Sequence, residues 1–438
     1  MNSESPEKIG WKNWSALWAI GLTGQLLWNV ENAIFNTFAY RTAAHDAPLV
    51  IQWMVALSAI ATTVSTLVMG TWCDGTGKRR PFIAAGYALW GVLTIAFGSA
   101  GFLPVALVGA GLVIADSAMS FAGSIGFDAG FGAWTTDISN DRNRGALCGA
   151  LAVMPILATI VGTAGFGVLI DGVKGTPFSG IGYFPFFILI GIVVIAVGAL
   201  SLAIVRDSPT LKPNRNGSFS SRFLSAFSLK GCARKAELFA VFVTLAVYFI
   251  AFYVFFPFIL PYLEHTLGLG LGLAGIIMGG GLALSAVLVV PAASFINRGR
   301  HVAVTACASL LTAIGLAVFS TGSASSVPNL LVGMFLAGGG YILVLQALNT
   351  WLKNLYPETG RSQFEGIRLV FFVCIPMVVG PAIGTPLVTG FGTTLSIEGK
   401  AQALPTELLF RVSAVLVLFT LIPLFFAVKS RKRAIGTD

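Results

Sequence analysis

Apolar runs of about 20 residues, each long enough to cross a bilayer as a helix, follow one another along the chain from Trp14 onward. This one feature decides most of what the chain can fold into. Only 10% of its residues are charged and 56% are hydrophobic, against roughly 25% charged in soluble domains. So few charges cannot make a polar skin, so much of the surface must face lipid. The runs cover 14–40, 49–72, 82–99, 104–131, 146–169, 183–205, 238–263, 271–296, 302–321, 328–352, 368–390 and 404–428. The expected fold is an all-α membrane protein with twelve transmembrane helices. The polar start before Trp14 lacks the short apolar core and small-residue cleavage site of a secretory signal, so the first run reads as a retained span. Pro155, Pro257, Pro261, Pro291 and Pro376 lie inside or near the ends of spans. Neighbouring helices re-satisfy the backbone at such kinks.

With both termini on one side, every one of the 27 basic residues falls on that side except Arg41, Lys174, Lys400 and Arg411. The positive-inside rule makes that side cytoplasmic and the chain a multi-pass protein of the cell membrane. The net charge of +9 is then a topology signal and not a nucleic-acid surface. Cys73, Cys148, Cys232, Cys307 and Cys374 are scattered, without metal or disulfide spacing. His45, His265 and His301 are isolated, and neither Gly279–Gly281 nor Gly338–Gly340 precedes the Lys-Ser/Thr of a phosphate loop. No enzyme, metal or cofactor is expected; a proton gradient is the energy source if transport is coupled.

The polar, basic stretch 206–237 is a linker, and its segment "SFSSRFLSAFSLK" suits a short amphipathic helix on the inner leaflet. It separates an N-terminal six-helix bundle, 1–205, from a C-terminal one, 238–438. Loops also correspond between halves: Gly70–Arg80 with "NRGRH", and "TTDISNDRNRG" with "PETGRSQFEGIR". A duplicated six-helix unit around a shared site is a transporter plan.

The loop "GTWCDGTGKRRPFI" concentrates charge between spans two and three. Gly70 is expected to permit close helix approach. Asp74 is placed to accept backbone amides at a neighbouring helix end, and Lys78, Arg79 and Arg80 to reach acids on adjacent loops. The alternative is that the basic residues only anchor the topology. The pattern G-x-x-x-D-x-x-G-x-R-R, which includes Gly70, Asp74 and Gly77, resembles the signature loop of the major facilitator superfamily. That resemblance implies two pseudo-symmetric six-helix bundles and a conformational latch in an alternating-access carrier. "GKRRPFI" and "GQLLW" are similar to motifs of proton-coupled sucrose symporters and of the related glycoside–pentoside–hexuronide cation symporters, and "TGRSQFEG" is similar to the latter family's loop before helix eleven.

In the first span, Gln25, Asn29, Asn32 and Asn36 recur at helical spacing and share one face. Four amides facing lipid are costly, so they face either a cavity suited to a hydroxyl-rich ligand or a neighbouring helix that they bond. Trp28 is placed to stack on a ring. Glu31 lies about 120° off the stripe, as a proton carrier or as a structural acid. The fourth span carries Asp116, Ser120, Ser124 and Asp128, with Asp128 about 18 Å further in than Asp116. The resemblance puts Asp128 on the symporters' coupling aspartate, with Asp116 second; the alternative for Asp128 is a helix-end charge paired to a loop arginine. Where sodium-coupled relatives carry two aspartates on the second helix, this chain has Thr62 and Thr66, which argues for proton coupling, or for no coupling, over sodium. The fifth span also lacks an arginine that some relatives carry there. In the second half Tyr248 and Tyr253 line a cavity or pack, and Gln346 and Asn349 share a face. Asp137, Asp141, Arg142, Arg144, Glu365 and Arg368 are candidate gate pairs. The resulting expectation is a monomeric, proton-coupled symporter of a sugar or glycoside, embedded in lipid and binding no nucleic acid. The rival is an exporter or flippase of an amphipathic lipid or drug-like molecule.

Overall fold

A computed structural model describes residues 9–44, 46–139, 143–172, 177–207, 213, 219–220, 234–356 and 361–435. The expected amphipathic helix of the linker, apart from Phe219 and Ser220, and the candidate residues Asp141 and Arg142 lie outside the described residues. So do the side chains of Arg144 and Glu365.

The chain forms α1 (Trp11–Thr42), α2 (Ala47–Thr76), α3 (Arg80–Ser99), α4 (Val105–Ser124, continued through a π turn at Ile125–Phe131 to Asp137) and α5 (Arg144–Ile160, a π turn at Val161–Gly165, then Phe166–Asp171). α6 (Tyr183–Ile204) closes the first half. The second half has α7 (Lys235–Pro261, with a π turn at Tyr262–Thr266), α8 (Leu271–Ser285, a 3-10 turn, then Val289–Asn297), α9 (His301–Phe319) and α10 (Val327–Leu355). It ends with α11 (Arg361–Leu369, a π turn at Val370–Cys374, then Ile375–Phe391), strands β1 (Thr393–Ile397) and β2 (Lys400–Leu404), and α12 (Glu407–Leu418 and Leu421–Ile435). Eleven of these helices are long and apolar enough to cross a membrane. The twelfth, α1, has 32 residues, and its amides and Glu31 lower its hydropathy.

Why α1 tolerates those polar groups follows from its place. It packs against α2, α4, α5, α6 and α7, so little of it is left for lipid. α7 occupies the matching position in the second half, against α8, α10, α11, α12 and α1. The pairings α3–α4, α3–α6 and α2–α4 recur as α9–α10, α9–α12 and α8–α10. Between the halves, α2 meets α11 and α5 meets α8. Each pairing repeats on a step of six helices, which is the pseudo-symmetry of two six-helix bundles. Exposed Val92, Ile114, Val287 and Phe425 lie on the outer faces, as lipid contact requires. The chain is a multi-pass membrane protein.

Among the described residues, one element departs from the all-helical expectation. β1 and β2 form an antiparallel hairpin in which Ile397 pairs with Lys400, and both turn residues, Glu398 and Gly399, have positive φ. Two left-handed residues make the two-residue turn whose twist suits a hairpin.

At the α3–α4 crossing, a Cβ on Gly86 would overlap the backbone of Gly126, in the π turn that carries Asp128. Backbone cannot swing aside as a side chain does. Gly86→Val is expected to destabilise the first half by about 3 kcal/mol or more, read as lower thermal stability in detergent. Gly70→Ala should leave it unchanged, because Gly70 has open space where a Cβ would sit. The expected close approach at Gly70 is therefore corrected: it lies half-buried near the end of α2 and meets no helix there.

Candidate functional site

Three helices converge on two carboxyl groups. α1 supplies Glu31, α4 supplies Asp116 and Ser120, and α2 supplies Ser58. Glu31 is 7% exposed and Asp116 2%. Ser120 Oγ lies 2.6 Å from Glu31 Oε1 and 2.9 Å from the backbone oxygen of Asp116. Ser58 Oγ donates to Asp116 Oδ2 at 2.5 Å. Glu31 Oε2 and Asp116 Oδ1 are buried without a partner. No ion pair joins either carboxyl to a Lys or Arg among the described residues. A serine hydroxyl carries one proton. If Glu31 is ionised, Ser120 must choose between its carboxylate and the Asp116 carbonyl. If Glu31 is protonated, it donates to Ser120, Ser120 donates to the carbonyl, and both contacts are met. Uncompensated charge is costly here, so the cluster is chemically suited to taking up and releasing a proton.

Asp128 stands apart. It is half-buried in the π turn of α4, and Thr66 Oγ1 of α2 lies 3.4 Å from its Oδ2. Ser124, one turn before it, is fully buried. Sequence reading missed Ser58, although Ser58, Thr62, Ser65 and Thr66 form a hydroxyl stripe on α2. Ser65 Oγ also bonds the Phe121 carbonyl of α4.

The amides of α1 divide. Asn32 Nδ2 donates to the Trp28 carbonyl at 2.7 Å and Asn36 Nδ2 to the Asn32 carbonyl at 2.9 Å, so both bond their own helix. Asn36 is fully buried, whereas Gln25, Trp28, Asn29 and Asn32 are half-buried. Asn29 packs on Gly162 in the π turn of α5, and its Oδ1 is buried without a partner. Trp28 lies 5.0 Å from Trp90 between ring centroids. In the second half the Tyr248 hydroxyl lies 2.8 Å from Thr312 Oγ1, tying α7 to α9 in the packed interior. Tyr253 is half-buried and packs on Gly380 of α11. Gln346 Oε1 is buried without a partner. Asn349 Oδ1 accepts from Arg368 at 3.4 Å, and the guanidinium of Arg368 lies 5.3 Å from the Phe372 ring.

At the end that carries the termini, Arg79 is the hub. Its Nη1 donates to Asp74 at 2.7 Å and its Nε to Asp137, at the end of α4, at 2.9 Å. Cys73 Sγ lies 3.2 Å from Nη1. Burial opposes the charge of Arg79, but these bonds outweigh it and hold the group protonated beyond the ordinary arginine range. Gly77 caps α2 at φ 65°, a left-handed turn that glycine permits. The expected role of Asp74 is corrected: it takes a guanidinium bond, and the acid that accepts backbone amides is Asp207, from Arg79 N at 2.7 Å and Arg80 N at 3.0 Å. Asp137 pairs with Arg79 inside the first half. Lys78 and Arg80 are exposed.

The end remote from the termini holds residues that sequence reading did not single out. Arg41, at the end of α1, bonds Glu264 of α7 at 2.5 Å, Asp171 of α5 at 3.4 Å and Glu398 of the hairpin at 3.8 Å. Asp171 also accepts the backbone amide of Leu271, which opens α8, at 3.2 Å. One cation thus joins acids from both halves at this end. The available signal was scarcity, since Arg41 is one of only four basic residues assigned to that side.

The family model described as Major Facilitator Superfamily matches residues 17–258 and 241–437, so both halves are covered. The chain belongs to that superfamily. No curated protein matches it in sequence. Among solved major facilitator structures, it resembles a bacterial homologue of the human lysosomal transporter Spinster in an inward-facing, unoccupied conformation. That match has TM-score 0.72 and 15% identity over 98% of this chain and 99% of the other. It also resembles the nucleoside transporter NupG, with TM-score 0.67 and 12% identity over 95% and 98% of the two chains. A third is the xylose transporter XylE from E. coli in a partially occluded inward-open conformation, with TM-score 0.66 and 12% identity over 93% and 97%. At these identities the likeness is one of fold.

Proposed function

We propose that this chain is a secondary transporter of the cell membrane with both termini cytoplasmic, which moves a sugar or glycoside together with protons by alternating access. The carrying observation is the buried acid pair Glu31 and Asp116, one bonded by Ser120 and the other by Ser58, with one oxygen of each carboxyl left unpartnered. A proton held there neutralises one acid, and its release to the other side couples its movement to the rearrangement of α1 and α4. The buried, unpartnered oxygens of Asn29 and Gln346, with half-buried Gln25 and Trp28, suit a ligand rich in hydroxyl donors. The transport of xylose by a protein of the same fold is compatible with that class. The Arg41 pairs that join the two halves at the remote end support a conformer poised toward the cytoplasm.

A second reading has its own support. Phe252, Tyr253, Phe256 and Tyr341 form a half-buried aromatic group in the second half, which suits an amphipathic lipid or drug-like molecule exported by the same cycle.

Purified protein in proton-tight vesicles separates the two. Adding the transported sugar outside is expected to alkalinise the external medium, and a protonophore should abolish accumulation. A thermal-shift screen across sugars, nucleosides, lipids and drugs identifies the ligand, since occupancy at 100 times Kd stabilises by about 2.7 kcal/mol. Stabilisation by amphiphiles alone, with no sugar response, would replace the first reading by the second.

A further inference from the structure

The β1–β2 hairpin belongs to the second half in sequence, yet its inward side chains bond the first half. Gln402 is fully buried. Its Nε2 donates to the Ala43 carbonyl at 2.8 Å, and its Oε1 accepts the Ala47 amide at 3.3 Å. One side-chain amide thus satisfies a carbonyl at one end of the α1–α2 connection and an amide at the other, as a neighbouring strand would. Lys400 Nζ donates to the carbonyls of Thr42, at 2.6 Å, and Arg41, at 3.3 Å. Those are carbonyls at the end of α1, which a cation caps favourably. Thr266 Oγ1 bonds the Pro405 carbonyl at 2.8 Å and fastens the base of the hairpin to α7.

We propose that Gln402 is a gate residue: the hairpin is a strap that holds the remote end shut, and its release from the α1–α2 connection is required each time that end opens. This rests on the alternating-access reading above. In the closed state Ala43 O and Ala47 N–H are buried, so an apolar side chain at 402 strands both, at a cost that the open state, where water reaches them, does not carry. Lys400 acts on a less enclosed pair of carbonyls, so its loss has the smaller effect. Arg41 also pairs with Glu398 of the same hairpin, but the two Gln402 bonds carry no charge and so are insensitive to salt, which separates their contribution from that of the ion pairs.

Spin labels at Phe102→Cys and Ser325→Cys, exposed on the α3–α4 and α9–α10 connections of the remote end, report its opening in the full chain in lipid nanodiscs. The native cysteines are replaced by Ser. The starting protein is expected to show mainly the shorter separation. Gln402→Leu is expected to raise the ratio of long to short separations about ten-fold, and Lys400→Met to raise it by less. If Gln402→Leu fails to elute as the parent does, Lys400→Met carries the test. An unshifted distribution in the folded variants overturns the strap. It leaves alternating access standing where the parent already shows both separations, and removes that reading too where only one separation is ever seen.

Discussion

Asp116→Asn and Glu31→Gln are each expected to abolish uphill accumulation of the solute while leaving solute exchange within a few fold of the parent protein. An amide fills the same space as the carboxyl but neither takes up nor releases a proton, so the downhill arm survives and the coupling does not. Loss of accumulation over a 100-fold gradient corresponds to about 2.7 kcal/mol of solute gradient no longer supported by protons. Ser120→Ala tests the hydroxyl that holds Glu31 against α4. It removes the hydroxyl shared by Glu31 Oε1 and the Asp116 carbonyl, so it should shift the pH dependence of transport without removing either carboxyl. Asp128→Asn is the comparison, because the resemblance to the symporters points there, whereas Thr66 at 3.4 Å is its described contact on α2. Should Asp128→Asn eliminate accumulation while both Asp116→Asn and Glu31→Gln retain it, coupling belongs to the π turn and the proposed pair is structural.

The helices were legible because their signal is local and strong. A run of apolar residues must be buried or face lipid wherever it sits, so twelve spans follow from composition alone. What failed was the ends. α4 continues to Asp137 and α10 to Leu355, through polar residues that read as loop, since helical hydrogen bonding does not stop where the hydrocarbon does. The hairpin at 393–404 also escaped notice. Its signal was present: a Glu-Gly pair flanked by short alternating segments, inside what read only as a connection between two spans.

The site was half legible. Periodicity gives the face of a helix but not the helix it meets. Glu31 lies off the amide stripe, and its position on the helix alone is consistent with a proton carrier or a structural acid, yet that offset is what turns it toward Ser120 on α4. The amides of Asn32 and Asn36 looked equally available, and only the fold reveals that each bonds the backbone one turn earlier. Asp207 and Arg41 are single charges at helix ends, distant in sequence from their partners. Nothing local distinguishes them from ordinary topology signals.

Arg79→Met is expected to be the most damaging change at the end that carries the termini. Arg79 is 6% exposed and joins α2, α3 and α4 through Asp74 and Asp137. Removing the guanidinium leaves Asp137 largely enclosed without its cation, which costs about 3 kcal/mol; Asp74 is more than half exposed and is left in water at little cost. Transport should fall with stability, because the three helix ends lose their common hub. Arg79→Lys is expected to rescue poorly, since one ammonium cannot reproduce the planar fork that meets two carboxylates at once. Adding Asp137→Asn to Arg79→Met should restore part of the lost stability, as the stranded charge is gone, and the coupling energy of that double-mutant cycle measures the pair. Lys78→Met and Arg80→Met are the controls. Both residues are exposed beside Arg79 and carry the same charge, so a loop that served only to hold the topology would respond alike to all three. Equal effects at 78, 79 and 80 would reduce the loop to an anchor, whereas a loss confined to 79 makes it a latch.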